Sequence, residues 1–253
     1  MLYSEDDYLE IYKVVESEVH HGLKAMVLHY AINKIPLNEK DIRPLNLTPE
    51  FWNFELYNLI TIGILTLGRL FDESNCKYNI IILYKSLGLN INAFSFESLK
   101  KRKGDIFTNG GFEEYISGEK EFDRVMYKKI KDRILEVKKT YDTKFKIYRN
   151  KVIAHREVNR VGELDVEGFS YKELLELYLE LYNICTELWE RYNNGRGAVF
   201  LSFDSVTNMV NNVEYMPIGS PFFKRIIKEY KLLFELLKGK MMNKSFDKYS
   251  NYN

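Results

Sequence analysis

The sequence predicts an all-α protein, a helical bundle of four to five main helices followed by a C-terminal extension. The 253 residues include only 14 Gly and 5 Pro, with 45% hydrophobic and 29% charged residues. This is a globular composition that is poor in the turn residues of all-β proteins. Apolar residues also recur at three- and four-residue steps over long stretches, which is the period of an amphipathic helix. A chain of this length is sufficient for one large domain with an appended segment.

The first two helices are predicted from periodicity and from a start signal. Residues 7–33 carry apolar side chains along one helical face. After a loop with two prolines, Thr48-Pro49-Glu50 offers a hydroxyl cap, a proline for the first helical position and an acid in the first turn. The second helix is expected to end near Phe71. Its uncharged stretch, 56–68, is shorter than the roughly 20 residues of a membrane span, so we expect a buried core helix and no membrane role.

The middle of the chain is predicted to contain two shorter helices and a loop. Residues 78–87 form a helical pattern that Gly88 is expected to close, and residues 96–102 form a shorter one. Residues 104–118 hold four glycines. We expect a loop there, and its position suggests that it gates access to a site.

The longest predicted helix covers residues 119–157, which contain neither Pro nor Gly. The overlapping segment 124–160 carries 13 Lys or Arg against 4 Asp or Glu, although the formal net charge of the whole chain is only +1. Positive charge concentrated on one segment suits a local anionic partner such as a phosphate group. The alternative is a solvated helix face without a ligand.

The C-terminal third is predicted to contain two helices, with a segment between them that is not assigned to one structure. Residues 158–168 are expected to form a turn, and 171–192 a strongly amphipathic helix. Residues 198–217 fit a short strand or a short helix equally well. A last helix is expected at 220–237, with a frayed polar tail at 243–253. The predicted domains are therefore a bundle over 1–192 and an extension over 193–253.

Residues 148–157 read Tyr-Arg-Asn-Lys-Val-Ile-Ala-His-Arg-Glu and carry the most distinctive chemistry in the chain. When an RNA 2′-hydroxyl attacks the adjacent phosphate, a base accepts its proton and an acid protonates the departing 5′-oxygen. An imidazole serves either purpose near neutral pH, so His155 is the candidate acid/base. Arg149 is the candidate that stabilises the phosphoryl charge in the transition state.

Four neighbours are candidates for supporting roles. An amide is able to donate to phosphate or position a water, and further cations are able to back up Arg149. A carboxylate is able to orient the imidazole or a basic neighbour. These supporting residues are Asn150, Lys151, Arg156 and Glu157.

Helix geometry limits how these residues combine. At roughly 100° per residue, Arg149 and His155 lie about 120° apart on one continuous helix and do not converge. Either the helix breaks near Ala154, or two copies meet across a twofold axis and form a composite site. We favour the dimer.

The string Arg-Asn-Lys-x-x-Ala-His-Arg after an aromatic residue resembles the Arg-x(4 to 6)-His signature of the HEPN superfamily (higher eukaryotes and prokaryotes nucleotide-binding), and most of all its abortive-infection U-type branch. The upstream run Leu-Gly-Arg-Leu-Phe-Asp, 67–72, is similar to the Arg-Leu-x-Asp element of such proteins. The resemblance covers about residues 5–192. By position, Arg149 and His155 match the catalytic residues and Asn150 the polar third position. Arg69 and Asp72 are interpreted either as a surface ion pair or as a brace for the motif helix.

The resemblance implies a helical bundle that dimerises through its motif helices and cuts RNA without a metal, leaving a cyclic phosphate. It also implies a role in phage defence or a toxin–antitoxin system, so the expected partners are RNA, a second copy, and an antitoxin or other defence subunit. A catalytically silent RNA-binding or scaffold protein is the alternative, and a purely structural helical protein is a third reading. Further predicted RNA contacts are Tyr148 by stacking and the cations Lys144, Lys146, Lys101 and Arg102.

Metal, cofactor and export signals are not recognised. His20, His21 and His29 lack acidic or Cys partners at ligand spacing, so no metal and no cofactor are expected. Cys76 and Cys185 lie in apolar helical patterns and are expected to be buried thiols of a reducing, cytoplasmic compartment. The acidic N-terminus lacks the basic start of a secretory signal. Motifs of serine hydrolases, nucleoside triphosphatases and zinc fingers are not found in the sequence.

Overall fold

The computed structural model describes residues 3–34, 49–72, 77–104, 107, 111–150 and 170–211, together with Arg225 and Glu229. Every regular element in these ranges is helical, which confirms the all-α prediction. The helices are α1 Glu5–Lys34, α2 Pro49–Phe71, α3 Ile80–Leu89, α4 Phe96–Lys103, α5 Gly111–Tyr115, α6 Arg124–Thr140, α7 Lys146–Tyr148, α8 Tyr171–Asn194 and α9 Phe203–Asn211. A 3-10 turn, Ile91–Phe94, lies between α3 and α4, and a π-helical turn, Tyr141–Phe145, lies between α6 and α7. We refer to α6, this π-turn and α7 together as the motif helix.

The bundle is organised around α1. This helix packs against α2, α3 and α8, while the motif helix packs against α3 and α8. The face of α1 in the core includes Tyr8, Ile11, Tyr12, Val15, Val19, Leu23 and Met26. On the motif helix the core face consists of Ile130, Ile134, Val137, Tyr141 and Phe145. Burial of these two stripes supplies the main driving force that holds the helices together.

Side-chain caps fix several helix starts. The Ser170 hydroxyl accepts from the Glu173 backbone N–H while the Glu173 carboxylate accepts from the Ser170 N–H, a complete capping box for α8. The backbone N–H of Asp7 donates to the Ser4 hydroxyl in the same way at α1. The predicted helices at 7–33, 96–102 and 171–192 are thus confirmed within about two residues at each end.

The structure corrects two predicted boundaries. Gly88 does not close α3 but lies inside it, because a Cβ at this position would be 2.8 Å from the Tyr127 hydroxyl oxygen, so the glycine admits that ring. The motif helix begins at Arg124 rather than at 119, because the Asp123 carboxylate accepts from the Met126 N–H at 2.8 Å and caps it there. The predicted loop at 104–118 also contains the short helix α5.

The second helix is buried in its C-terminal half only. Ile64, Leu67 and Leu70 are in the core, whereas Phe51 is 53% and Phe54 61% exposed. By length and composition alone α2 could cross a membrane, with 39% of its most apolar window buried in the bundle. The expectation of a buried core helix therefore holds for the half of α2 that packs inside the bundle.

The segment that the sequence left open between strand and helix contains α9. Val206 and Met209 of α9 are buried, and the side chain of Asn183 on α8 exchanges two hydrogen bonds of 2.8 Å with the backbone of Leu201. Beyond α9, Glu229 forms an ion pair with Lys24 of α1 at 3.3 Å. The predicted turn at 158–168 and tail at 243–253 lie outside the described residues, as does all of the predicted helix at 220–237 except Arg225 and Glu229. The boundary between bundle and extension at residue 192 stays a prediction.

Candidate functional site

Arg149 and Asn150 are the two predicted catalytic or supporting residues of the 148–157 string that the structure describes. They directly follow α7 at the end of the motif helix, and both are half-buried. The Arg149 Nε donates to the Asn150 Oδ1 at 3.0 Å, so the two predicted site residues contact each other. Lys151, His155, Arg156 and Glu157 lie outside the described residues.

Arg149 lies across the backbone of α2 at Gly68. A Cβ built on Gly68 would be 2.7 Å from both Cδ and Nη1 of the arginine, a separation that real Cβ atoms essentially never show. Only a glycine at this position admits the arginine side chain in this place. The upstream element at 67–72 and the motif are about 80 residues apart in sequence, and this contact joins them in space.

The π-turn Tyr141–Phe145 determines how Arg149 faces the bundle. The Lys146 N–H donates to the Tyr141 carbonyl five residues earlier, where an α-helix would bond four residues back. The extra residue shifts the helical phase of the described residues that follow it, 146–150, including Arg149. This turn is not predicted from the sequence. A usable signal was present in Thr140 and Thr143, whose hydroxyls donate to backbone carbonyls three and four residues earlier, a bonding pattern that favours irregular helix geometry.

Tyr141 is a second residue that the sequence analysis did not single out. It is 2% exposed, and its ring stacks on Phe71 with centroids 5.3 Å apart. Burial raises the pKa of Tyr141, while the charge of Arg149 opposes the rise and the charges of Asp142 and Asp72 add to it. The Tyr141 hydroxyl has no hydrogen-bond partner within the described ranges. A buried phenol thus lies within electrostatic reach of both the motif and the upstream element.

Arg69 and Asp72 contact different helices. The Arg69 Nε and Nη2 both lie 2.8 Å from the Glu18 Oε2 of α1, and Nη2 also donates to the Thr66 hydroxyl at 3.1 Å. The backbone carbonyl of Asp72 accepts from the Asn79 side chain at 2.7 Å. Arg69 therefore fastens α2 to α1, next to the glycine that holds Arg149.

The predicted RNA contacts on the motif helix lie on different sides of it. Lys144 pairs with Glu173 at the start of α8, and Lys146 pairs with Asp142 at 3.3 Å. Tyr148 is half-buried against the core. Burial raises the pKa of Tyr148, and the neighbouring hydroxyls of Tyr57 and Tyr171 add to the rise. Tyr148 is therefore placed between α2 and α8.

The predicted contacts on α4 lie away from the motif. Lys101 pairs with Glu97 at 2.7 Å on the surface. The Arg102 guanidinium donates to the carbonyls of Ala93 and Tyr192 at 2.7 Å each and stacks over the Tyr192 ring. These bonds connect three chain segments, so Arg102 has a structural role whether or not it also contacts RNA. The structure does not bring Lys101 or Arg102 together with Arg149.

Two of the three histidines of α1, His20 and His29, are packed against neighbouring rings, whereas His21 is exposed. Burial lowers the pKa of His29 to about 4, and its ring contacts Tyr171 with centroids 4.5 Å apart. Burial also lowers the pKa of His20, against the opposing charge of Glu16. Among the residues that the structure describes, no group of three or more His, Cys, Asp or Glu side chains is placed to hold a metal ion.

Comparison with protein families gives a match over most of the chain. The family model HEPN_AbiU2, described as AbiU2, matches residues 6–212. The match includes the 67–72 element, the whole 148–157 string and α9. No curated protein and no solved structure matches the chain.

Proposed function

This chain belongs to the HEPN AbiU2 family of abortive-infection phage defence, and we propose that it acts there as a metal-independent endoribonuclease. The observation that carries the proposal is the close packing of the Arg149 side chain over Gly68. It holds a guanidinium at the end of the motif helix, six residues before His155 in sequence. An arginine fixed in advance is suited to stabilise charge that develops in a transition state.

The proposed reaction is an internal transesterification of RNA. The 2′-oxygen forms a bond to the adjacent phosphorus, the bond from phosphorus to the 5′-oxygen breaks, and a 2′,3′-cyclic phosphate remains. His155 accepts the 2′-hydroxyl proton, and the imidazolium that forms gives a proton to the departing 5′-oxygen. Arg149 donates to the phosphoryl oxygens, and Asn150, which accepts from Arg149 at 3.0 Å, holds the guanidinium in plane.

A homodimer brings Arg149 of one protomer to His155 of its partner in this proposal. Support comes from the exposed apolar face of α2, where Phe51, Phe54 and Tyr57 follow one another at three-residue steps and are 53%, 61% and 43% exposed. Large apolar side chains exposed together are typical of protein contact surfaces. Tyr57 is also an electrostatic neighbour of Tyr148, which directly precedes Arg149. A twofold contact at this face sets two motifs side by side.

The test is cleavage of a labelled single-stranded RNA in excess EDTA by the wild type, Arg149→Ala and His155→Ala. Lys139→Ala removes a charge from the exposed face of the same helix and serves as the matched control. We expect the wild type and the control to cut and both motif variants to lose about 100-fold or more in rate. Mass spectrometry should find the cyclic phosphate.

Two outcomes would contradict the mechanism. One is cutting that stops in EDTA and returns with a divalent metal. The other is cutting that survives His155→Ala. Tight RNA binding by the wild type without any cutting would instead favour a silent RNA-binding protein of the same family.

A further inference from the structure

A groove with four cations runs between α3 and α6, at the opposite end of the motif helix from Arg149. It has a volume of about 830 Å³. Lys85 comes from α3, and Arg124, Lys128 and Lys131 line up at four- and three-residue steps on one face of α6. Among the described residues that line the groove, Asp132 is the one acidic residue. The lining is therefore strongly positive.

These four cations have no carboxylate partner at ion-pair distance within the described part of the chain. Their neighbours on the α8 side of the same helix differ in this respect. Arg133 pairs with Glu180 at 2.5 Å and with Glu187 at 2.6 Å, and Lys144 pairs with Glu173. The fold neutralises the cations that face α8 and leaves those that face the groove available to an external anion.

Tyrosine rings lie between the cations of the groove. Tyr127 packs over Gly88, where a Cβ would be 2.8 Å from its hydroxyl oxygen, and the Lys131 Nζ lies 5.8 Å from the centre of the Tyr84 ring. Burial raises the pKa of Tyr127, and the nearby Tyr84 adds to the rise. Cations that alternate with aromatic rings are typical of surfaces that bind single-stranded nucleic acid, since phosphates meet the cations and bases stack on the rings.

The motif helix packs against α3 near the groove and against α2 near Arg149. Tyr127 contacts Gly88 of α3, Tyr141 stacks on Phe71 of α2, and Arg149 packs over Gly68 of α2. The opposite flank carries Arg133 and Lys144, which face α8. From Lys131 to Arg149 the helix rises about 30 Å at ~1.5 Å per residue. This length corresponds to on the order of eight nucleotides of a stacked strand.

We propose that this groove is a second binding site for single-stranded RNA, which holds the strand about 30 Å from the bond that is cut. The inference rests on the proposed function, because it assigns an RNA strand to both ends of the motif helix. Phosphates bind Lys85, Arg124, Lys128 and Lys131, and bases stack on Tyr84 and Tyr127. The groove contributes affinity and selects for strand length, while the chemistry stays at the motif.

The first measurement is binding of a fluorescein-labelled, unstructured 20-nucleotide RNA in the His155→Ala background, where the RNA is expected to remain intact. Lys128→Ala/Lys131→Ala is compared with Lys129→Ala/Lys139→Ala, which removes the same charge from the exposed face of the same helix. We expect the groove variant to bind about tenfold more weakly than the control at moderate salt. The slope of log affinity against log salt should become less steep by about 1.4, because each phosphate contact of a single strand contributes about 0.7.

The second measurement is cleavage of a 4-nucleotide and a 20-nucleotide substrate by the same two pairs of substitutions in the otherwise wild-type chain. We expect the groove variant to raise KM for the long substrate and to cut the short one at the control's rate. Equal affinities and equal KM values for the groove variant and the control would overturn the proposed RNA site in the groove and leave the proposed ribonuclease function unaffected. Unchanged RNA binding with lost binding of an acidic partner protein would overturn it in favour of a protein site. A wild type that binds no RNA of either length would overturn both proposals.

Discussion

The side chain of Arg149 occupies the space that a side chain at Gly68 would need, with 2.7 Å between its Cδ and a Cβ built on that glycine. The contact joins the end of the motif helix to α2. Arg149 therefore keeps this position only while residue 68 has no side chain.

Gly68→Ala is expected to displace Arg149 while the fold survives. Alanine is favoured over glycine in a helix by about 1 kcal/mol, which offsets part of the local strain, so the free energy of unfolding should stay within about 1 kcal/mol of the wild type. Misplacement of a transition-state donor by about 1 Å costs on the order of 100-fold in rate. Cleavage assays and urea unfolding, run in parallel, test both parts.

Gly63→Ala is the matched control for this substitution. It lies on the same helix, and its Cβ would be 2.8 Å from the terminal methyl of Met26, a flexible side chain that is able to move away. This variant should cut RNA at the wild-type rate. An equal loss of cleavage rate in Gly68→Ala and Gly63→Ala would show that any added methyl group on α2 is harmful and that the contact between Arg149 and Gly68 has no particular role.

Deletion of Thr143 is expected to convert the π-turn into an ordinary α-helical turn, because it removes the additional residue that the turn accommodates. The residues that follow keep their helical phase, so Arg149 should stay over Gly68 and this variant should cut RNA within a few-fold of the wild-type rate. Insertion of one alanine between Lys146 and Ile147 instead rotates Arg149 by about 100° away from Gly68, and we expect the circular dichroism of a helical protein together with loss of cleavage by about 100-fold. Equal cleavage rates of the insertion and deletion variants would refute a role for helical phase.

His29 is expected to make the bundle less stable in mild acid. Its pKa in the folded protein is about 4, below the ordinary value of 6.5, because the ring is buried. As the pH falls through 6.5, His29 binds a proton in the unfolded chain but stays neutral in the folded chain. The part of the free energy of unfolding that depends on this difference is therefore present above pH 6.5 and is lost progressively as the pH falls to 4.

Urea unfolding at pH 7.5 and pH 5 measures this effect. Between pH 7.5 and pH 5 the free energy of unfolding of the wild type should fall by roughly 2 kcal/mol more than that of His29→Gln, whose amide does not titrate. His21→Gln, at an exposed histidine of the same helix, should behave as the wild type does. Identical pH slopes for the wild type and His29→Gln would mean that His29 is protonated at pH 5 in the folded state.

Two inactive variants are expected to restore activity when they are mixed as subunits. If each site combines Arg149 of one protomer with His155 of its partner, a mixed dimer of Arg149→Ala and His155→Ala holds one intact site. Random mixing then yields about a quarter of the wild-type activity. The measurement is cleavage after the two proteins are unfolded and refolded together, with each variant refolded alone as control. Activity that stays at the level of the single variants would place Arg149 and His155 in the same protomer's site.

The sequence was sufficient for the helices that have strong periodicity and good caps. The Thr48-Pro49-Glu50 start of α2 could be predicted from its cap and first turn, and the helix at 171–192 from its apolar periodicity, because local sequence decides both. Gly88 was misjudged because a distant residue, Tyr127, explains its presence inside α3. Local signals cannot distinguish a glycine that ends a helix from one that admits a neighbouring ring.

The site was predictable as a string but not as an arrangement. The Arg149–Gly68 contact, the buried Tyr141 and the groove cations on α6 all depend on which helices are neighbours and on the phase that the π-turn imposes. An apolar stripe specifies a helix face only to about one residue in each turn. The single additional residue in the π-turn falls within that tolerance, so periodicity alone did not expose it.

Cys185 offers a way to time the opening of this bundle. The residue is 1% exposed on α8, its backbone carbonyl accepts from the Tyr12 hydroxyl of α1 at 3.0 Å, and burial raises the pKa of its thiol. A thiol reagent reaches the sulfur only after α1 and α8 separate. In a chain that carries Cys76→Ser, the labelling rate of Cys185 therefore counts separation events, and the slowing of that rate by RNA would report how firmly a bound strand holds the helices closed.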